Sequence, residues 1–460
     1  MTEIESQVEA REPASPARIV EHIGPAASIL VAAQRFIADA EALQELFEVA
    51  TPVLVAKATE YRVEMESMLA NYLREPKKNL QMNLGELNRL SRLNAKQVRG
   101  HFLFRGHLLV ALVSRFDAFI SAVCFELLSV FPDRLAKKTI SFADTTQFRK
   151  IEELKKKIIQ DEIDEQMRGS HAAQLEFLSS IANVPLGDDE PELLSKFVEL
   201  TERRNCHIHF GGLASQQYLQ VCSKYKVIFP NTPEEGAKLN VGQKYLDSSR
   251  RVLSEMAFKI AQTIVRKVFN ESKDLADAYV NEIGLQMLDD HREKEALMIF
   301  NYAVQLKGKW AGDESSKRIF VINKAQTLVR LGRGEQALQE IGLIDWSAAH
   351  PKFILAIHLL KNEFDAAAKL MPIAGINEEY YRKWPLMEAF RRTDEFKRGF
   401  LTLFDHDFEE TELKAVTEAI AHDDDKEVIP ILQESNVSGK SGPASVTGDS
   451  QVDLPISDNK

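Results

Sequence analysis

Cysteine is scarce in this chain: three occur in 460 residues, Cys124, Cys206 and Cys222, none in a CxxC pair. That excludes a disulfide framework and a classical zinc site, and suits a reducing, cytoplasmic compartment. No GxxxxGK phosphate loop, GxSxG elbow or HExxH sequence occurs, which removes the commonest nucleotide-binding, serine-hydrolase and metalloprotease readings. Positive charge is not in excess either. Lys plus Arg number 58 against 69 Asp plus Glu, a formal charge of −11. A strongly basic nucleic-acid coat is excluded by this balance, while a local basic groove is not. The opening MTEIESQVEAREPASPAR has no cationic segment leading into an apolar one, so no signal peptide is expected. The stretch from His107 to Phe131 is the most apolar, but it carries Arg115, Asp117 and Glu126, which a bilayer would penalise. No membrane span is expected.

Alternating strand patterns are also missing, and nearly every periodic segment has helical spacing, which predicts an all-α fold. Residues 1–27, rich in Pro, Glu and Ser, are expected to be a disordered leader. Residues 28–99 predict N-terminal helices, with Pro52 breaking one from the next. Within them and just beyond lies a basic window, residues 74–115, in which Arg89, Arg92, Lys96, Arg99 and Arg105 are candidate RNA-phosphate contacts. A solvated helix face explains the same run without any ligand. Leu108 to Phe131 is apolar on almost all sides, as a central bundle helix is, with Ser114, Asp117 and Ser121 forming one polar stripe. A buried Asp117 needs a partner elsewhere in the chain.

Further helices are predicted around 146–167, from Glu192 to the pair Gly211–Gly212, around 215–225, and from Gln243 to Phe269. Residues 100–270 are thus expected to form one helical domain. In residues 273–410 the pattern becomes helix pairs: Gly284, Ala325 and Leu355 each precede a second small residue, Ala296, Ala337 and Ala367, by the same interval. Small residues at these offsets let antiparallel helices approach closely, and AQTLVRLGRGEQA looks like a tetratricopeptide-type pair. A plain helical bundle is the alternative. Residues 423–460 are expected to be a disordered acidic tail, since 401–460 hold 14 Asp or Glu against 4 Lys.

The string that carries chemistry is Arg203-Arg204-Asn205-Cys206-His207-Ile208-His209-Phe210-Gly211-Gly212. Imidazole titrates nearest neutrality, so His209 can move a proton. Guanidinium is permanently charged and matches phosphate oxygens, so Arg204 can hold a phosphodiester and stabilise charge in its transition state. Asn205 can orient either. Such a set needs no metal, and on RNA it would let the 2′-hydroxyl attack the adjacent phosphate. Cys206, His207 and His209 crowd one helix end without a second Cys/His cluster, so no metal and no cofactor is expected. Cationic side chains at a helix carboxyl end would also account for the string on stability grounds alone.

Arg204, Asn205 and His209 match the motif of the HEPN superfamily (higher eukaryote and prokaryote nucleotide-binding domains): Arg, a polar residue, and a His after four to six positions. LLVALVSRFDAFISAVCFELL resembles the family's early helix, ERRNCHIHFGGLAS its motif helix and KYLDSSRRVLSEMAFKIAQTIV its closing helix. Arg203 also lies within range, but Asn205 follows Arg204. The resemblance covers roughly residues 100–270. It implies a HEPN-type bundle, a metal-independent endoribonuclease that pairs as a homodimer across one cleft, and a toxin–antitoxin or antiphage role. It also implies Asp117 as a supporting acidic residue. The repeat region would then receive a protein regulator. The alternative function is a non-catalytic dimerisation and interaction scaffold.

Overall fold

The computed structural model describes residues 24–74, 80–141, 145–146, 148–187, 190–308 and 312–408. Among them are sixteen α-helices and no strand, so the fold is all-α. Two long helices, α1 (Pro25–Arg74) and α2 (Leu80–Val130), run antiparallel, with Phe36 against Phe116 at 5.4 Å and Phe47 against Phe104 at 6.3 Å. The break expected at Pro52 does not occur. Proline deprives the Glu48 carbonyl of its helical donor, yet Val49 and Val53 are 67% and 68% exposed, so water can serve that carbonyl. The helix also starts earlier than expected, at Pro25, a favoured first-turn position for proline. Residues 1–23 of the expected leader, and the expected tail at 423–460, lie outside the described residues.

The division expected between residues 99 and 100 falls inside α2. Packing explains this: Ala26 to Phe47 of α1 lie in one apolar core with Leu108 to Leu128 of α2, and that core continues to Phe320. The α2 rod is not buried all round as expected, because Ser114 and Arg115 face solvent. By length and composition, the Gly85–Val130 portion of α2 contains a window apolar enough to cross a membrane, and half of that window is buried in the bundle.

Four of the next five helices follow the predicted pattern: α3 (Ile151–Gln166), α5 (Pro191–His209), α6 (Gln216–Lys224) and α7 (Gln243–Val268). The other, α4 (His171–Ala182), has no counterpart in the sequence reading, because its short run of Ala, Ser and Gln dilutes the apolar period. Gly211 and Gly212, at φ +61° and +81°, end α5 where predicted, and the Gly212 N–H donates to the Cys206 carbonyl. Helices α1, α2, α5 and α7 enclose the core, and α3 and α4 cover one side of α2.

Beyond α7 a short turn at Asn270–Ser272 leads into three helix pairs. They are α8 (Lys273–Asp289) with α9 (Glu293–Gln305), α10 (Glu314–Arg330) with α11 (Gly334–Gly342), and α12 (Pro351–Leu360) with α13 (Phe364–Leu370). Each first helix ends on one left-handed residue, His291, Gly332 or Asn362. Each then closes with the same bond, Arg292 N–H to Met287, Arg333 N–H to Leu328 and Glu363 N–H to His358. The small residues singled out by spacing sit where these pairs touch: Ala296, Ala325, Ala337 and Ala367 are fully buried, and a Cβ on Gly284 would run into the Phe300 ring. Shorter helices follow, α14 (Glu378–Lys383) and α15 (Glu388–Arg391), then α16 (Asp394–Phe404). From Phe400 the chain belongs to a second unit, where Phe400 packs on Phe404 and Phe408.

Candidate functional site

Helix α5 presents two adjacent arginines, and the structure separates their roles. Successive helical residues point about 100° apart. Arg203 donates to Glu199 at 2.8 Å and to the Asn240 carbonyl at 2.8 Å, and lies 4.1 Å from the Tyr245 ring centre. Glu199 is completed by hydroxyls of Tyr218 and Tyr245, each donating at 2.7 Å. That network pins α6 and α7 to α5 and absorbs the Arg203 charge. Arg204 turns the other way, into a cavity of about 380 Å³.

The same cavity is lined by Asp117 of α2 and by Asn205 and His209 of α5, so all four candidate catalytic residues share it. Arg204 Nη2 lies 3.7 Å from Asp117 Oδ2, and Arg204 Nη1 donates to Asn205 Oδ1 at 3.1 Å. His209, exposed on the last turn of α5, forms part of the rim. His207 is spent elsewhere: its ring shares a hydrogen bond with the Leu239 carbonyl at 2.9 Å and fills the space beside Gly106, where a Cβ would come within 2.5 Å. The imagined Cys206, His207 and His209 donor set is therefore split, and no group of three His, Cys, Asp or Glu converges among the described residues. All three cysteines are buried, and burial pushes the Cys124 and Cys222 thiols up to about 12.

Two buried ionisable residues of the lining are absent from the sequence-based candidates. His171, at the start of α4, is 4% exposed, and its Nε2 lies 3.0 Å from Asp117 Oδ1 without hydrogen-bond alignment. Glu202 sits one turn before Cys206, is buried, and accepts from Asn205 Nδ2 at 3.4 Å. Burial raises the Glu202 carboxyl above the ordinary glutamate range, and the Asn205 amide and His171 oppose that rise only in part. Glu202 was legible as i−3 to Asn205 on α5, a spacing that puts the two on one helix face. His171 has no such signal, because the Ala, Ser and Gln of α4 dilute the apolar period that would mark its helix.

Asp117 Oδ1, both ring nitrogens of His171 and Arg204 Nε are buried without an aligned hydrogen bond. Each unmatched buried polar group costs about 1–3 kcal/mol. Several of them around one polar cavity mark a place where the fold carries unmet hydrogen-bonding capacity.

The basic window is not part of this cavity. Arg89, Arg92, Lys96 and Arg99 fall within about 80° on one face of α2, while Arg105 projects about 160° from Arg89. Arg89 is paired with Glu86 at 2.5 Å, and Arg105 Nε donates to His101 at 3.0 Å. Along the helix axis these five lie between about 18 and 42 Å from Asp117, at 1.5 Å per residue. Compared with known proteins, the chain matches no family model, no curated protein and no solved structure.

Proposed function

We propose that the chain is a metal-independent endoribonuclease of HEPN type that works as a homodimer in a toxin or antiphage-defence setting. The helical-repeat region would bind its protein regulator. One observation supports this reading above the others: Asp117 and Arg204, from distant parts of the chain, approach within 3.7 Å at a cavity that Asn205 and His209 also line. In this reading Arg204 holds the scissile phosphate, Asp117 and Asn205 orient the guanidinium, and His209 takes the 2′-hydroxyl proton. The freed oxygen attacks phosphorus, and the 5′-oxygen leaves as it takes up a proton. The products are a 2′,3′-cyclic phosphate and a 5′-hydroxyl end. Arg92, Lys96 and Arg99, exposed on α2, would hold more distant RNA phosphates.

The test is cleavage of mixed RNAs by purified full-length protein with and without chelator, beside Arg204→Ala and His209→Ala. Wild type should cut RNA but not DNA, with chelator making no difference, and removal of a proton-transfer group such as His209 should lower kcat by about 10²–10⁴. RNA left intact by wild type, in extracts and in cells under infection, would favour the scaffold function instead. Chelator-sensitive cutting would sink the metal-free mechanism.

A further inference from the structure

We propose that the amino end of α4, together with Arg168, Ser170 and His171, is a second phosphate subsite of the Arg204 cavity, taking a backbone phosphate next to the scissile one. Its assignment to RNA rests on the nuclease reading; its anion chemistry does not.

The loop Met167–Ser170 links α3 to α4 and lines the cavity. Gly169 keeps it bare, since a Cβ there would come 3.2 Å from the Gln166 carbonyl. Ser170 caps α4, its Oγ accepting from the Ala173 N–H at 3.3 Å. The N–H groups of His171 and Ala172 have no hydrogen bond among the described residues. No acidic residue occupies the first turn of this 12-residue helix. A helix amino end of this kind presents free N–H donors and a partial positive charge to an oxyanion.

The side chains around it point to a ligand independently. His171 is 4% exposed and lines the cavity; its Nε2 faces Asp117 Oδ1 at 3.0 Å, and its Nδ1 has no partner among the described residues. Arg204 Nε is buried without an acceptor, and Arg168 lies exposed at the rim with no ion pair among the described residues. Two carboxylates also line the space and oppose an anion. Asp117 lies 3.7 Å from Arg204 and 3.0 Å from His171, which offset its charge, and burial raises the Glu202 carboxyl above the ordinary glutamate range. A cavity of about 380 Å³ is at the small end of ligand sites, which span about 300–1,000 Å³, so it has room for a nucleotide-sized group rather than a lone ion.

The experiment uses the full chain and two probes: inorganic phosphate at constant ionic strength, followed by calorimetry, and a fluorescent single-stranded deoxyoligonucleotide, which lacks the attacking hydroxyl, followed by anisotropy against salt. Wild type should bind both. Arg168→Ala and His171→Asn should weaken both, and the salt slope for the oligonucleotide should fall by about 0.7 for each phosphate no longer neutralised. Lys361→Ala, at the exposed end of α12, should change neither. Arg168 is exposed, so its variant tests the subsite even where His171→Asn fails to fold. Unchanged binding of both probes by Arg168→Ala overturns the proposal. Loss of inorganic phosphate with unchanged oligonucleotide binding overturns the assignment to backbone phosphate and points to a free phosphomonoester. Intact RNA with phosphate binding that needs Arg168 removes the nuclease reading and keeps the subsite; normal RNA cleavage and binding by both variants does the reverse.

Discussion

The joint between α7 and α8 depends on one buried ion pair, and breaking it is the sharpest test of the packing. Arg266 Nη2 and Asp277 Oδ1 lie 2.6 Å apart, with side chains only 1% and 7% exposed. The pair is held in place from both sides: Arg266 Nε donates to Gln262 Oε1 at 2.9 Å, and Gln262 Nε2 donates to the Ala276 carbonyl at 3.1 Å. At an effective dielectric of about 20 the gross attraction at this distance is about 6 kcal/mol, most of it offset by removing both ions from water. Removing one partner forfeits the attraction and leaves the other charge buried. Arg266→Met should therefore cost about 3–5 kcal/mol. Replacing both, as Arg266→Met with Asp277→Leu, should recover most of that loss, because no charge is left stranded. Urea unfolding followed by far-ultraviolet circular dichroism and tryptophan fluorescence gives the double-mutant cycle. A single variant that loses less than about 1 kcal/mol, the range of an exposed pair, or a double variant no better than the single, would refute the argument.

Other expected outcomes concern single side chains. On the nuclease reading proposed above, Asp117→Asn should lower kcat by about 10- to 100-fold, about 1.4–2.7 kcal/mol, a part of the gross attraction of about 4–5 kcal/mol to Arg204 across 3.7 Å at an effective dielectric of about 20; single-turnover cleavage checks it, and unaltered rates would exclude Asp117 from the reaction. Glu202 has a sign that can be worked out. Its folded carboxyl titrates above the ordinary range, so the stability it contributes is present at acid pH and lost as pH rises through the folded value. Glu202→Gln retains an acceptor for Asn205, so it should gain stability over wild type near neutrality and lose that advantage on acidification, and a pH-independent difference in urea midpoints would be the contrary result. Gly284→Ala drives a methyl into the Phe300 ring and should destabilise by about 1–3 kcal/mol, measured by thermal unfolding. His291→Gly relieves a left-handed residue that is 87% exposed on its side chain and should stabilise by about 1 kcal/mol in the same assay.

Helix identity was written in the sequence wherever a strong apolar period met an explicit stop. The α5 and α7 stripes and the Gly211–Gly212 terminus are of this kind, and so are the three helix pairs after α7, where small residues recur at the offsets that close packing demands. Weak periods misled. Pro52 reads as a breaker, yet α1 runs through it, because the carbonyl left without a donor lies where the helix is open to water. The division at residue 99 fails because a boundary is a property of the shared core, and Phe47 finds Phe104 only after the chain has folded back.

At the candidate site the sequence alone determined residue types and spacing, Arg204, Asn205 and His209 on one helix end, because spacing along a helix is local geometry. Which of two neighbouring arginines faces the cavity was decided by tertiary structure, since Glu199, Tyr245 and the Asn240 carbonyl capture Arg203 and leave Arg204 to Asp117. Tertiary structure also brought in His171 and Glu202 and left the basic stripe of α2 outside, because side chains distant in sequence meet only where the packing of α2, α4 and α5 places them.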